Sequence, residues 1–163
     1  VAPVLWTALG GLAGGAVYKA ANTADSMIGH KTARYESFGW AAARFDDFIN
    51  LPASRLTAMW IVLASAALSG ASAKAAWRAV WRDAARHRSP NAGWPEAAMA
   101  GALGIQLSGP RIYDGVEVAE RWVGDGRSEP TARDIRAALD LYRAACGLQI
   151  AALVLIVLVC WMF

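Results

Sequence analysis

Sulfur and imidazole are scarce in this sequence. Its 163 residues include two cysteines and two histidines. Cys146 and Cys160 both fall in the last apolar run, fourteen positions apart, so they cannot bridge within one helix. They have no His or Cys partners at ligand spacing, which excludes a zinc site and leaves them as small hydrophobes. Charge is sparse too, at 18 % against about one-quarter for an average soluble domain. The opening apolar run has no basic n-region and no cleavage signature, so it is not expected to be a signal peptide. Val1 is expected to be an internal position, in a fragment or in one half of a longer membrane protein. No internal repeat and no low-complexity linker is present. No GxxxxGK[ST] phosphate loop occurs. The basic residues form one short segment without a recognition motif, so no nucleic-acid partner is expected.

Apolar runs are what the chain has instead. Hydrophobic residues make up 56 %, and they sit in blocks. Ala144 to Phe163 is 20 residues without a charge. At 1.5 Å per residue it covers roughly 30 Å, a bilayer's apolar thickness. The alternative is a buried helix of a soluble protein. Leu56 to Ala73 is uncharged as well, but shorter and richer in small residues. It reads either as a span or as a helix packed inside a bundle. The opening run is apolar as far as Lys19. Strand signals are weak: "RIYDGVEVAERWVG" alternates a little after a turn. The expected fold is all-α. It is a multi-pass integral membrane protein with polar loop–helix blocks at the membrane face, in a single domain over 1–163.

The last helix has a legible start. Pro130 breaks what precedes it, Thr131 can cap, and Asp134 sits near the positive helix end. Ile135, Leu139 and Tyr142 form one stripe, with Arg and Asp opposite. Charges stop at Arg143, so one helix is expected to run from an amphipathic surface part into a membrane part. Lys74 to Arg88 carries five cationic side chains against Asp83, a net of +4. A basic block directly after an apolar helix reads as cytoplasmic.

Two polar blocks interrupt the apolar chain, Asn22 to Pro52 and Ser89 to Gly115. Each is either a solvated loop between helices or part of a polar pocket at the membrane face. Asn22 and Asp25 are three apart and share a helix face. Asp46 and Asp47 are adjacent, about 100° apart on a helix, so they do not pair by themselves. One can take a metal while the other meets Arg44 or water; the alternative is two acids on a wet face. His30 alone is a weak signal. In the second block Pro95 and Glu96 suit the first turn of a helix. Met99, Leu103 and Leu107 make an apolar stripe, and Ala100, Gly101 and Gly104 a small-residue face for close helix approach.

At these blocks the chain resembles the cobalamin-biosynthesis CobD/CbiB family, the adenosylcobinamide-phosphate synthases. The residues that carry the resemblance are Asn22-Thr23-x-Asp25-x-Met27-x-Gly29, Tyr35-x-x-Phe38-Gly39 and Ala43-Arg44-x-Asp46-Asp47. In the second block they are Ser89-Pro90-Asn91-x-Gly93-x-Pro95-Glu96, Ala100-Gly101-Ala102-Leu103-Gly104 and Tyr113-x-Gly115. Ser108 departs from the pattern, which leads one to expect glycine before Gly109. A further departure is length: family chains begin with more membrane segments, so this chain resembles their C-terminal half.

The resemblance implies a multi-pass protein of the inner (plasma) membrane with a cytoplasmic site. It implies ligation of aminopropanol, or its phosphate, to a carboxylate of the corrinoid adenosylcobyric acid, with ATP and Mg²⁺. An acyl phosphate would be the activated form. The acids of the matched motifs, Asp25, Asp46, Asp47 and Glu96, are its candidate catalytic residues, with Asp46 and Asp47 as candidate Mg²⁺ ligands. Lys31, Arg34, Arg44 and Arg111 are candidates for phosphate. Asn22, Asn91, Tyr35 and Tyr113 are the other candidate substrate contacts. Competing readings are a non-enzymatic membrane scaffold or signalling protein, like the related AmpE-type proteins, and a transporter. A transporter would keep polar residues inside its membrane helices, and the final helix offers only Gln149. If Leu56 to Ala73 crossed the membrane once, the two motif blocks would lie on opposite sides.

Overall fold

The computed structural model describes residues 1–29, 38–113, 116–118 and 120–162; at 38, 111–113 and 116–118 the description ends at the backbone. Helices dominate, in the order α1 (Ala2–Ile28), α2 (Phe38–Ser65), α3 (Ala73–Asp83), α4 (Gly93–Leu103) and α5 (Ala132–Met162). A single 3-10 turn, Ala84–Arg86, follows α3. The chain divides into two compact units, Val1–Leu56 with Ser89–Asn91, and Thr57–Arg88 with Ala92–Phe163.

In the first unit, α1 opens with a proline in its first turn and kinks at Gly11, whose φ of 61° suits only glycine. Ala2, Tyr18 and Ala21 of α1 are buried with Ile49 and Ala53 of α2. A side chain at Gly39 would collide with the Ile28 carbonyl, so glycine lets the start of α2 lie against the end of α1. The polar block Asn22 to Pro52 is thus mostly helix where it is described: the last turns of α1 and the first half of α2.

The second unit has a core built largely of alanine. Ala76, Ala79, Ala97, Ala98, Ala100 and Ala102 are buried with Val80, Ile61 and Leu141. Small side chains let α3 and α4 pack backbone to backbone. A Cβ on Gly101 would stand 2.6 Å from the Ala75 carbonyl oxygen and 2.7 Å from the Ala79 Cβ. The expected small-residue face on Ala100 and Gly101 is therefore the α3 contact. Ser72 caps α3 by accepting from the Ala75 N–H at 3.2 Å. Gly104, in the left-handed conformation, ends α4 and donates its N–H to the Ala100 and Gly101 carbonyls.

Between α4 and α5 the chain forms a small ribbon that the sequence shows only faintly. β1 (Leu107–Ser108) pairs antiparallel with β4 (Trp122–Val123), and β2 (Arg111–Tyr113) with β3 (Val116–Val118). The pairs are two and three residues long, too short for a clear alternating pattern. Gly109 and Pro110 separate the two ladders, as expected where proline removes a donor.

One expectation needs correction. Leu56 to Ala73 is not one helix: α2 ends at Ser65, the chain turns over 66–72, and α3 begins at Ala73. Ala66 and Ala67 donate to carbonyls three residues back, which tightens the helix end, and Gly70 takes a φ of 88°. The stripe Ile135, Leu139 and Tyr142 of α5 faces outward, at 62 %, 48 % and 60 % exposure, while Leu141 and Ala145 enter the core. The start of α5 follows the sequence. Asp134 accepts from the Thr131 N–H at 2.7 Å and from its hydroxyl at 2.8 Å, and Arg127 bonds the same carboxylate at 2.6 Å.

Among the described residues two helices are long and apolar enough to cross a membrane, Gly39–Ser65 and Ala132–Met162; 39 % of the first one's apolar window is buried, against 6 % of the second's. Toward its C-terminus α5 exposes Ile150, Val154, Leu155, Ile156, Val157, Leu158 and Trp161 all round. An apolar surface on every side calls for lipid or protein around it, not water.

One buried acid ties α3 to the ribbon. Asp83 is 5 % exposed. It accepts from Arg82 Nε at 2.8 Å and Nη2 at 2.6 Å, and from the Gly124 N–H at 2.9 Å. Burial raises its pKa, but the Arg82 and Gly124 bonds outweigh that and hold the carboxyl below its ordinary value. Asp83→Asn is expected to cost about 2 kcal/mol at neutral pH, because a charge partner is lost while Arg82 stays partly wetted. A depressed carboxylate stabilises fully above its unfolded pKa and loses that contribution as pH falls through its folded value. Thermal melts of both proteins should therefore converge as the solution is acidified.

Candidate functional site

The polar residues of the first unit gather along facing stretches of α1 and α2. Tyr18, Asn22 and Asp25 follow at helical spacing on α1. Opposite them stand Asp46 and Asn50, one turn apart on α2. Asn22 Nδ2 donates to Asp46 Oδ1 at 3.3 Å. Asn50 Nδ2 donates to Asp46 Oδ2 at 3.0 Å, and Tyr18 donates its hydroxyl to Asn50 Oδ1 at 3.2 Å. Burial first, then the Asp46 charge, raise the Tyr18 pKa, which keeps the phenol a donor.

Asp47 turns to a different set of partners, as the 100° offset requires. Asn91 Nδ2 donates to the Asp47 carbonyl at 2.8 Å and to Oδ1 at 3.4 Å. Arg44 lies 3.7 Å from Oδ2. Asn91 Oδ1 accepts from the Ser54 hydroxyl at 3.0 Å and from Arg55 Nη1 at 3.3 Å. Arg55 also reaches the Pro90 carbonyl at 3.2 Å. Asn91 belongs to the second motif block and Asp47 to the first, so both blocks contribute to one cluster. The opposite-sides arrangement considered for Leu56 to Ala73 does not hold for Asn91, which is hydrogen-bonded to Asp47.

Pro52 lies within this network. It sits inside α2 and has no N–H to give the helix ladder. Side chains supply donors to carbonyls around it. Besides Asn91 on Asp47, Trp6 Nε1 donates to Ile49 at 3.0 Å, and Ser54 and Arg55 donate to Leu51 at 3.0 and 3.1 Å.

Asp25 lies in the last turn of α1, the negative end of the helix dipole, where an acid brings the helix no stability. A Cβ at Gly29 would collide with its carboxylate, so glycine leaves that side chain its room.

Glu96 belongs to the second unit. It lies in the first turn of α4, with Ser108 donating to Oε1 at 2.8 Å and His87 Nε2 3.3 Å from Oε2. Arg111 and Tyr113 are placed by their backbones in β2. Lys31, Arg34 and Tyr35 lie outside the described residues.

Sequence reading missed Tyr18, Asn50, Ser54, Arg55, His87 and Ser108 as partners of the motif acids. Helical spacing was an available signal for two of them: Tyr18 is four before Asn22, and Asn50 four after Asp46.

Among the described residues no three His, Cys, Asp or Glu side chains are grouped to cage a metal. A carboxylate has about four lone-pair sites, so Asp46 keeps acceptor capacity beyond its two amide bonds. Magnesium takes one or two protein carboxylates and completes its shell with phosphate oxygens and water. The donor set fits that partial role.

This is a helical protein with two polar clusters built from its motif blocks. The family model described as CobD/Cbib protein matches residues 1–142, and the chain belongs to that family. Similar curated proteins include the "Cobalamin biosynthesis protein CobD" of Rhizobium meliloti (strain 1021), 54 % identical over 151 residues, 91 % of this chain and 46 % of that protein. The protein of that name from Rhodobacter capsulatus is 54 % identical over 145 residues, 89 % of this chain and 45 % of the relative. Its counterpart in Geobacter metallireducens is 47 % identical over 156 residues, 95 % of this chain and 49 % of the relative. The chain thus spans about half the length of the curated relatives it matches. No solved structure matches it.

Asn91→Ala removes the donor to Asp47 and the acceptor for Ser54 and Arg55. It is expected to destabilise the protein by about 1–3 kcal/mol. Phe45→Ala, at an exposed site on the same helix as Asp47, is expected to stay within about 0.5 kcal/mol. Denaturant titration in detergent compares the two.

Proposed function

We propose that this chain is part of a membrane-bound enzyme of cobalamin biosynthesis. The reaction is ATP-dependent amide ligation of aminopropanol or its phosphate to adenosylcobyric acid, giving adenosylcobinamide or its phosphate. The observation that carries the reading is the joining of both family motif blocks at Asn91 and Asp47. The relatives' shared name, cobalamin biosynthesis protein, supplies the pathway.

A corrinoid carboxylate resists attack by an amine until one of its oxygens becomes a leaving group, which ATP with Mg²⁺ supplies. The chain's own residues bind and orient. Asp46 would be the magnesium ligand of the two, because Asp47 sits beside the Arg44 cation, which competes with a metal ion. Arg44, with 63 % of its side chain exposed, is available to a phosphate. Asn22 orients Asp46, and Asp25 adds a second carboxylate to that face of α1. The polar cluster is proposed to face the cytoplasm, where ATP is found.

Complementation tests this reading. The full-length protein is expressed in a bacterium lacking its own synthase, supplied with cobyric acid or with cobinamide. Growth on both is expected, while the parent strain grows on cobinamide alone. Asp46→Ala should abolish growth on cobyric acid without removing the protein from the membrane. Failure of the unaltered protein on cobyric acid, with membrane insertion verified, would favour a non-enzymatic scaffold.

The membrane assignment has its own test. Leu155 is 62 % exposed on α5. Leu155→Arg places a charge in the proposed span at a cost of about 2.5–3.5 kcal/mol. Membrane fractionation should show a reduced integral fraction, whereas Arg133→Leu, before the apolar part of α5, should leave it unchanged.

A further inference from the structure

Ser108 stands where the family pattern leads one to expect glycine. Its φ is +62°, and among the described residues it is the one non-glycine with positive φ. Glycine occupies that region freely, and serine is strained there. The strain has an accompanying contact, because the Ser108 hydroxyl donates to Glu96 Oε1 at 2.8 Å. On the other side of the carboxylate, His87 Nε2 lies 3.3 Å from Oε2. Three separate pieces of chain, after α3, at the start of α4 and in β1, meet at this one group.

The grip leaves the carboxylate usable. The Glu96 side chain is 25 % exposed and His87 is 26 %. Two partners do not exhaust the roughly four lone-pair sites of a carboxylate. What remains is an oriented anionic acceptor, and its natural complement is a compact cation with N–H donors. A phosphate would be repelled, and an uncharged amide would gain less.

We propose that Glu96, positioned by Ser108 and His87, seats the ammonium group of the amino-alcohol co-substrate. This deepens the amide-ligase reading and rests on it. Glu96 touches the amine; Ser108 and His87 act through Glu96 as positioning residues. The departure at Ser108 is then a feature of this chain's amine recognition and not a neutral drift in a loop.

The test is steady-state amide formation by the full-length protein in membranes, with the amine varied at saturating corrinoid and ATP. Ser108→Ala and Ser108→Gly are each expected to raise the amine KM about five-fold, with kcat within about two-fold, the size of one lost hydrogen bond. The corrinoid KM stays constant. His87→Ala moves the amine KM in the same direction, and Glu96→Gln moves it further, about 100-fold. Ser108→Gly should melt above the unaltered protein because it relieves the backbone, and Ser108→Ala should not. That split separates orientation of Glu96 from general stability. An unchanged amine KM in the Ser108 and Glu96 variants, or a change in the corrinoid KM instead, overturns the seat while leaving the ligase intact. If the unaltered protein makes no amide, equilibrium binding of radiolabelled aminopropanol decides separately. Binding lost in Glu96→Gln retains the seat and removes the ligase reading; no binding to the unaltered protein removes the seat.

Discussion

The Asn91 amide is the interaction on which the polar centre of the first unit depends, and a proline in the middle of α2 stands close to it in the chain fold. Pro52 cannot donate into the helix ladder, and its ring disturbs the turn before it. The ladder donor lost is the one to Phe48, four residues back, so the ring's effect falls on the turn that carries Asp47 and Ile49. Trp6, Ser54, Arg55 and Asn91 supply donors to carbonyls on either side of it. Asn91 does more, since its amide oxygen is the common acceptor for Ser54 and Arg55. The helix interruption and the meeting of the two motif blocks are thus neighbours on α2.

The second unit answers a different problem, which is how to hold short helices together with small side chains. Alanine buries little area per residue, so the hydrophobic return per contact is modest. Close approach compensates through dispersion between backbones, and Gly101 permits it. Asp83 then adds a directional tie. A buried carboxylate is stabilising only when its bonds outweigh desolvation. Here a two-nitrogen grip from Arg82 and one backbone N–H do so. Gly124 can give that N–H because it adopts a φ of +88°, where a side chain would strike the Ile105 carbonyl.

Much of this was legible in the sequence, and the failures have physical causes. The helix start at Thr131 and Asp134 was readable because capping is local chemistry. The divergence of Asp46 and Asp47 followed from helix geometry alone. The family resemblance picked out Asn22, Asp46, Asp47 and Asn91, which the fold brings to one cluster. The end of α2 at Ser65 was not readable, because Leu56 to Ala73 has no charge or proline to mark a break. The stripe on α5 was readable as a stripe, but periodicity locates an apolar face without saying what covers it. The ribbon between α4 and α5 was missed because its strands are shorter than any alternation. Partners such as Ser108 for Glu96 are set by tertiary approach across twelve positions, which no local pattern encodes.

Local rules are broken at three places in this chain. An acid stands at the wrong end of a helix dipole at Asp25. A proline interrupts a long helix at Pro52. A serine takes a glycine conformation at Ser108. Capping agrees with the fold at Ser72, Gly104 and Thr131. Sequences that specify one structure tend to concede such exceptions at functional positions and make them good nearby. Each exception here adjoins a motif acid or its partner: Asp25 is one itself, Pro52 lies beside the Asn91–Asp47 contact, and Ser108 holds Glu96. Folding alone gives no reason for the three to coincide with the motif blocks, whereas a requirement for oriented carboxylates does.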